Sequence, residues 1–375
     1  LNNALPEAIR LDEEPSLWQV VSPDGTVNED RWPTGLDSDG LRTMYRAMSL
    51  VRTLDERMQI LQRQGRISFY GAATGQEGTV IGSGYATEPS DWILPALREG
   101  GVALIRGFPL SDYINQVFCN GDDIQQGRQM PCHYGDNRVN YVTLSSNLGT
   151  QLPHAVGVAL AQRLKGDPGV TFAYLGDGCT SESDFHVAME FAAVMNAPVI
   201  FICQNNQWAI STPWQKQTAA SSIAVKGCGY GMPGYRVDGN DAVAVYAVTQ
   251  MARDRAVAGE GPCLIEAYTY RIGAHSTSDD PTRYRDESIT DEWRLLDPID
   301  RLRNLLIARK EWTDEDEQTM LTEYEGQIRA EIERAEAAPG PTLDSLFNDV
   351  YAHVPWHLQE QKLALESALA QEKTH

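Results

Sequence analysis

The chain is 375 residues long, 42% hydrophobic and 22% charged, a composition that supports a sizeable packed core and argues against a disordered or fibrous protein. Its 31 Lys and Arg stand against 52 Asp and Glu, and the net charge of −21 repels nucleic acid and acidic lipid, so neither is expected as a partner. No apolar run approaches the roughly 18–20 residues of a membrane helix.

Residues 1–36 are rich in Pro, Asp and Glu, with Trp18 and Trp32 among them, and read as an extended arm lying over a surface such as a partner subunit's. Glu7, Asp12, Glu13 and Glu14 make its start acidic, unlike an Arg-rich transit peptide. Six scattered cysteines (119, 132, 179, 203, 228 and 263) without a C-x-x-C pair favour a reducing compartment. A cytoplasmic location is therefore expected; because the chain opens on Leu1, a processed organelle-matrix protein is the alternative.

Residues 37–64 carry apolar side chains at 41, 44, 48, 51, 54, 58 and 61, the stripe of an amphipathic helix. The Gly-rich stretch 75–86 and the small-residue stretch 148–164 read as two further helices. A strand is expected over 170–176 (VTFAYLG), a helix over 183–195, and a strand over 197–204 (APVIFICQ). A helix capped by Asn240 or Asp241 then leads to a strand over 263–268. Beyond Tyr284 the chain reads as helical, with a solvated, charge-rich helix over 314–338 and a short linker, AAPGPT, at 337–342. The expected domains are the arm (1–36), an α/β domain (37–300) and a helical C-terminal extension (301–375).

Strand, helix and strand in that order form a right-handed crossover, so the two strands run parallel and end at one edge of the sheet. Gly176-Asp177-Gly178 ends the first and Asn205-Asn206 ends the second. Ligands of open α/β sheets bind at that edge. A carboxylate and an amide oxygen suit a hard cation such as Mg²⁺, and glycines with free amides at a turn suit a diphosphate. An ordinary glycine turn with an Asx cap is the competing reading of a lone GDG. Dinucleotide binding fails because Ser181 stands where G-x-G-x-x-G requires its third glycine.

With GRQMPCHYG (127–135), SSNLGTQ (145–151), NNQWAISTP (205–213), RVDGND (236–241) and YRIGAHSTSDDPTRYR (270–285), these motifs make the chain resemble the thiamine-diphosphate fold. It is most similar to α subunits of the decarboxylase component of 2-oxo acid dehydrogenases, and AISTP with HSTSDDP resembles the branched-chain type. The resemblance implies an α/β fold with a mostly parallel sheet flanked by helices, and thiamine diphosphate with Mg²⁺ as cofactors. It further implies oxidative decarboxylation of a 2-oxo acid with reductive acylation of a lipoyl domain. Implied partners are a β subunit in an α₂β₂ assembly and a lipoyl-bearing acyltransferase core; the aminopyrimidine-binding glutamate belongs to that β subunit.

By the same resemblance Asp177, Asn206 and the carbonyl of Trp208 hold Mg²⁺, while Arg98 and the amides of Gly178 and Cys179 bind the diphosphate. Ser146 and Leu148 meet the aminopyrimidine, and Ser145, Thr150 and Gln151 match a K⁺ site. Leu97 replaces a tyrosine common in the family and Gln204 an arginine of some branched-chain relatives, which leaves fewer polar and cationic groups around the diphosphate. The resemblance also sets Arg271 and His275 among the cofactor-binding residues, close to the diphosphate; His275, in a polar loop that Arg271 steadies, is the expected acid–base residue, titrating near neutrality. Ser276 matches a serine modified by kinases in mitochondrial relatives. Phe69 and Tyr70 are read as an aromatic wall for an aliphatic substrate, with core packing as the alternative. The pyruvate or acetoin branch, and a non-catalytic scaffold of the same fold, are the alternative functions.

Overall fold

The computed structural model describes residues 5–10, 16–348 and 350–372; the expected arm at 1–4 and 11–15 and the chain end at 373–375 lie outside them. Twelve helices are described: α1 Ser38–Arg63, α2 Glu77–Tyr85, α3 Gly100–Ile105, α4 Leu110–Phe118, α5 Gln151–Lys165, α6 Ser183–Val194, α7 Lys226–Gly229, α8 Ala242–Val257, α9 Glu287–Arg294, α10 Pro298–Ala308, α11 Asp314–Ala337 and α12 Trp356–Glu372. The strands are β1 Trp92–Leu94, β2 Thr171–Gly176, β3 Val199–Asn205, β4 Trp208–Ala209, β5 Thr212–Pro213, β6 Gly234–Asp238 and β7 Cys263–Tyr268. β4 and β5 form a small antiparallel hairpin; the others make one parallel sheet in the order β1-β2-β3-β7-β6.

Alternation along the strands builds two cores, one on each face. Phe172, Tyr174, Ile200, Ile202 and Ile265 face α1, α2, α8, α10 and α11, and Ala173, Leu175, Phe201, Cys203 and Leu264 face α5 and α6. Helix α1 forms as its stripe predicts, with Asp37 accepting from the amide of Gly40 as its N-cap. Asp241 rather than Asn240 caps α8, accepting from the amides of Val243 and Ala244.

The structure refines four expectations. The arm lies on its own chain: Trp18 pairs with the β6 edge at Val237, and the amides of Val20 and Val21 each donate to Asp241 Oδ2 at 2.7 Å. Helix α5 begins at Gln151 rather than 148 because Gly149 holds φ at +88°, outside helical backbone. Helix α11 is not merely solvated: Met320, Tyr324, Ile328 and Ile332 recur every four residues and are buried in the same core as α1. The expected boundary at 300/301 falls inside α10, whose Leu302, Leu305 and Leu306 also join that core. Helix α12 lies outside both cores, with Trp356 and Leu363 exposed.

Candidate active site

The β2–β3 register sets Gly176 beside Gln204, so the residues that follow, Asp177 and Asn205-Asn206, leave the sheet side by side. They open onto a cavity of about 560 Å³ whose lining includes Gln76, Arg98, Glu99, Leu148, Asp177 and Gly178. Cys179, Gln204, Asn206, Trp208, Ile210, Lys216, Gln217, Arg271 and His275 complete the polar and apolar walls relevant to the chemistry.

Asp177 starts a short helical turn, Asp177–Ser181, whose first amides have no carbonyl within the turn to bond. Burial pushes the Asp177 carboxyl up to about 6, while Gln217 Nε2 donates to its Oδ2 at 2.9 Å. Gly178 is fixed by crowding: a Cβ there would lie 2.5 Å from Cβ of Ala209 in the β4–β5 hairpin. Cys179 is buried in the core on the α5–α6 face of the sheet and also borders the cavity. Asn206 donates to Gln76 Oε1 at 2.9 Å, and its own Oδ1 accepts from the Trp208 amide at 3.2 Å.

Two buried guanidiniums tie the walls together. Arg98 donates to the carbonyls of Ala72 and His275, the latter at 2.7 Å. Arg271, 1% exposed, donates to the carbonyls of Trp208 (3.3 Å) and Ile210 (2.7 Å) and to Tyr284 Oη (2.8 Å). Burial, with the like charge of Arg271 next, lowers Arg98 to about 10. His275 is held by its backbone amide, which donates to Asp279 Oδ2 at 2.8 Å. Burial first, then Arg98 and Arg271, depress its imidazole to about 4, which corrects the expectation of titration near neutrality.

The cavity thus gathers Arg98, Leu148, Asp177, Gly178, Cys179, Asn206, Trp208, Arg271 and His275. It does not include Ser146, whose Oγ lies 2.6 Å from His133 Nε2, nor Ser145, Thr150 and Gln151. Ser145 and Thr150 bond to each other at 2.8 Å, and Gln151 donates to the Tyr174 carbonyl. The aromatic wall is also corrected. Phe69 and Tyr70 do not line the cavity; Tyr70 is buried, bonded to Asp55 and Tyr113, because Asp55 gathers the loop around it. Gln76, Glu99, Lys216 and Gln217 escaped sequence reading, since none belongs to a spaced motif. Buried Glu99, raised to about 7 by burial, accepts from Gln204.

The donor set fits a cation and an anionic diphosphate. Gln76 Nε2, Gln204 Oε1 and Arg271 Nε are buried without a partner among the described residues, and all three residues line the cavity. Among the described residues no group of three His, Cys, Asp or Glu could hold a metal, so a cation here relies on one carboxylate plus amide, carbonyl and ligand oxygens. That mixture matches Mg²⁺ better than zinc.

Residues 45–344 match the family described as "Dehydrogenase E1 component". The chain is 44% identical to "2-oxoisovalerate dehydrogenase subunit alpha 1, mitochondrial" of Arabidopsis thaliana, over 93% of this chain and 74% of that protein. The Dictyostelium discoideum and human proteins named "2-oxoisovalerate dehydrogenase subunit alpha, mitochondrial" are 43% and 41% identical, each over 93% of this chain and 79% of its own length.

Proposed function

The chain belongs to the dehydrogenase E1 component family, and from that premise we propose that it is the α subunit of a branched-chain 2-oxo acid dehydrogenase. The reading is carried by one observation: Asp177, Asn206, Arg98, Arg271 and His275 converge from four separate segments on one cavity at the carboxyl edge of the sheet.

Thiamine diphosphate, when bound, supplies the carbon nucleophile and electron sink that decarboxylation of a 2-oxo acid needs and that side chains lack. The residues of this chain bind, orient and screen. Asp177, Asn206 Oδ1 and the Trp208 carbonyl are assigned to Mg²⁺, and the amides of Gly178 and Cys179 with Arg98 to the diphosphate. Arg271 fixes the Trp208 and Ile210 carbonyls, so it shapes the hairpin that carries a metal ligand. Leu148 offers an apolar support for the aminopyrimidine, with Ser146 beside it. His275 enters the reaction neutral, so the ring nitrogen without a hydrogen accepts a proton during transfer to the lipoyl group and returns it afterwards.

Ser145, Thr150 and Gln151 are assigned to a monovalent cation such as K⁺, supported by the buried Gln151 Oε1, which has no hydrogen-bond partner among the described residues. A β subunit, in an α₂β₂ assembly, would supply the glutamate and the remaining wall, and a lipoyl-bearing acyltransferase core would receive the acyl group. No substrate contact is assigned to Tyr70. Six unpaired cysteines suit a reducing compartment, a condition met by both the cytoplasm and the matrix in which the relatives are named.

The test is decarboxylation by the chain purified with its β subunit, thiamine diphosphate and Mg²⁺. Faster turnover of 3-methyl-2-oxobutanoate than of pyruvate is expected. A preference for pyruvate would reject the branched-chain assignment, and no turnover of either acid with cofactor bound would reject the enzyme.

A further inference from the structure

We propose that Lys216 is a further diphosphate ligand of this site, an ammonium that adds positive charge to a cavity in which Gln204 supplies none. The inference rests on the thiamine-diphosphate reading above and deepens it.

Lys216 lines the same cavity as Arg98, Asp177, Gly178 and Arg271. Its backbone is anchored by hydrogen bonds. The turn Trp214–Lys216 is held by the Trp214 amide donating to the Gln207 carbonyl at 3.1 Å and the Gln217 amide donating to the Trp214 carbonyl at 2.9 Å. The adjacent Gln217 side chain is bonded to Asp177 Oδ2 itself, so the turn is pinned to the carboxylate assigned to the metal.

The other cations of the cavity have spent part of their capacity. Arg98 gives hydrogen bonds to two backbone carbonyls, and Arg271 gives its terminal nitrogens to two carbonyls and a phenol. Gln204 carries no charge and donates to Glu99. Three carboxyl groups line the cavity, Glu99, Asp177 and Glu182, against the two arginines. A diphosphate ester adds further negative charge, only part of which Mg²⁺ offsets. Lys216 is exposed and, among the described residues, makes no hydrogen bond or ion pair. Its three donors are therefore uncommitted, and an ammonium binds phosphate as a point charge without the planar geometry a guanidinium demands.

The experiment uses the assembled α and β subunits stripped of cofactor. Dissociation constants for thiamine diphosphate with Mg²⁺, and for thiamine, are measured by calorimetry and by quenching of tryptophan fluorescence, since Trp208 lines the cavity. Lys216→Gln is expected to weaken thiamine diphosphate about tenfold, to leave thiamine unchanged, and to be rescued by Lys216→Arg. Equal diphosphate affinity in wild type and Lys216→Gln, with Asp177→Ala still abolishing binding, would overturn the role of the lysine and leave the site standing. A raised KM for the 2-oxo acid at unchanged cofactor affinity would also overturn it and give Lys216 to the substrate. Failure of the wild type to bind thiamine diphosphate would overturn both readings.

Discussion

Asp177→Asn separates what this residue does for a cofactor from what it costs the empty fold. Asp177 is 2% exposed, and burial raises its carboxyl from 3.8 to about 6. A folded-state value above the unfolded one means that folding takes up a proton in that range. The penalty for an ionised Asp177 is absent below pH 3.8, grows as the pH rises, and is complete above about 6. Two pH units at ~1.4 kcal/mol each make it about 3 kcal/mol. Asparagine keeps the volume and, through Oδ1, the bond from Gln217, but carries no charge. The cofactor-free variant should therefore unfold about 3 kcal/mol less readily than wild type at pH 8, roughly 4 °C in Tm for a chain of this length, and match it at pH 4. Thermal unfolding of both proteins from pH 4 to 8 reads this directly. Adding Mg²⁺ and thiamine diphosphate should reverse the order, because only the wild type gains binding energy. A stability difference that is flat across pH, or a variant that the cofactor stabilises as much as it does wild type, would refute the reasoning.

His275 should show no titration between pH 5 and 8 in the cofactor-free protein, since burial and two arginines hold it near 4; an imidazole resonance titrating near 6.5 would contradict the packed geometry. His275→Ala should leave cofactor affinity nearly unchanged while slowing transfer to a lipoyl domain by about 10²–10⁴-fold, measured in single-turnover acylation. Asp241 holds the arm and caps α8 at once, so Asp241→Ala should cost about 2–4 kcal/mol by denaturant unfolding and speed proteolysis of the arm near Val20. Loss of stability without faster cleavage there would detach the arm from this anchor.

The central part of the site was legible because each half-motif ends a buried parallel strand, and topology alone carries two such ends to one edge. Arg98 and His275 were reached only through family motifs, since nothing in their local patterns points to a shared cavity. Gln76, Glu99 and Gln217 carried no signal at all: each is an isolated polar residue whose partner lies far away in sequence, Asn206, Gln204 and Asp177 respectively. Tyr70 misled for a related reason, because the segment around it has no periodicity to separate a core aromatic from a pocket wall. In α11 the charged residues hid the apolar repeat at Met320, Tyr324, Ile328 and Ile332, and a high charge content was mistaken for a wholly solvated helix.

The cavity is finished on one side only, and this bears on whether the chain works alone. Its polar clamp is dry, with Asp177, Arg271 and Asn206 at 2%, 1% and 8% exposure, whereas the apolar Leu148 and Ile210 remain 59% and 55% exposed. The outer face of α6 repeats the pattern, with Val187, Phe191 and Val194 each more than half exposed along one side of the helix. Apolar surface left in water costs about 25 cal/mol per Å² relative to burial, a penalty that a covering β subunit would remove. On the proposed reading, the charged end of the cofactor meets this chain alone, and the aminopyrimidine end is left for the β subunit to wall. Inorganic diphosphate with Mg²⁺ should accordingly bind the isolated chain and the assembled enzyme with similar affinity. Thiamine diphosphate should bind the assembly at least tenfold more tightly, because burying even one Leu-sized surface is worth about 1.5–3 kcal/mol. Equal affinity of the two forms for thiamine diphosphate would mean that the chain carries a complete pocket and that the exposed leucine serves another purpose.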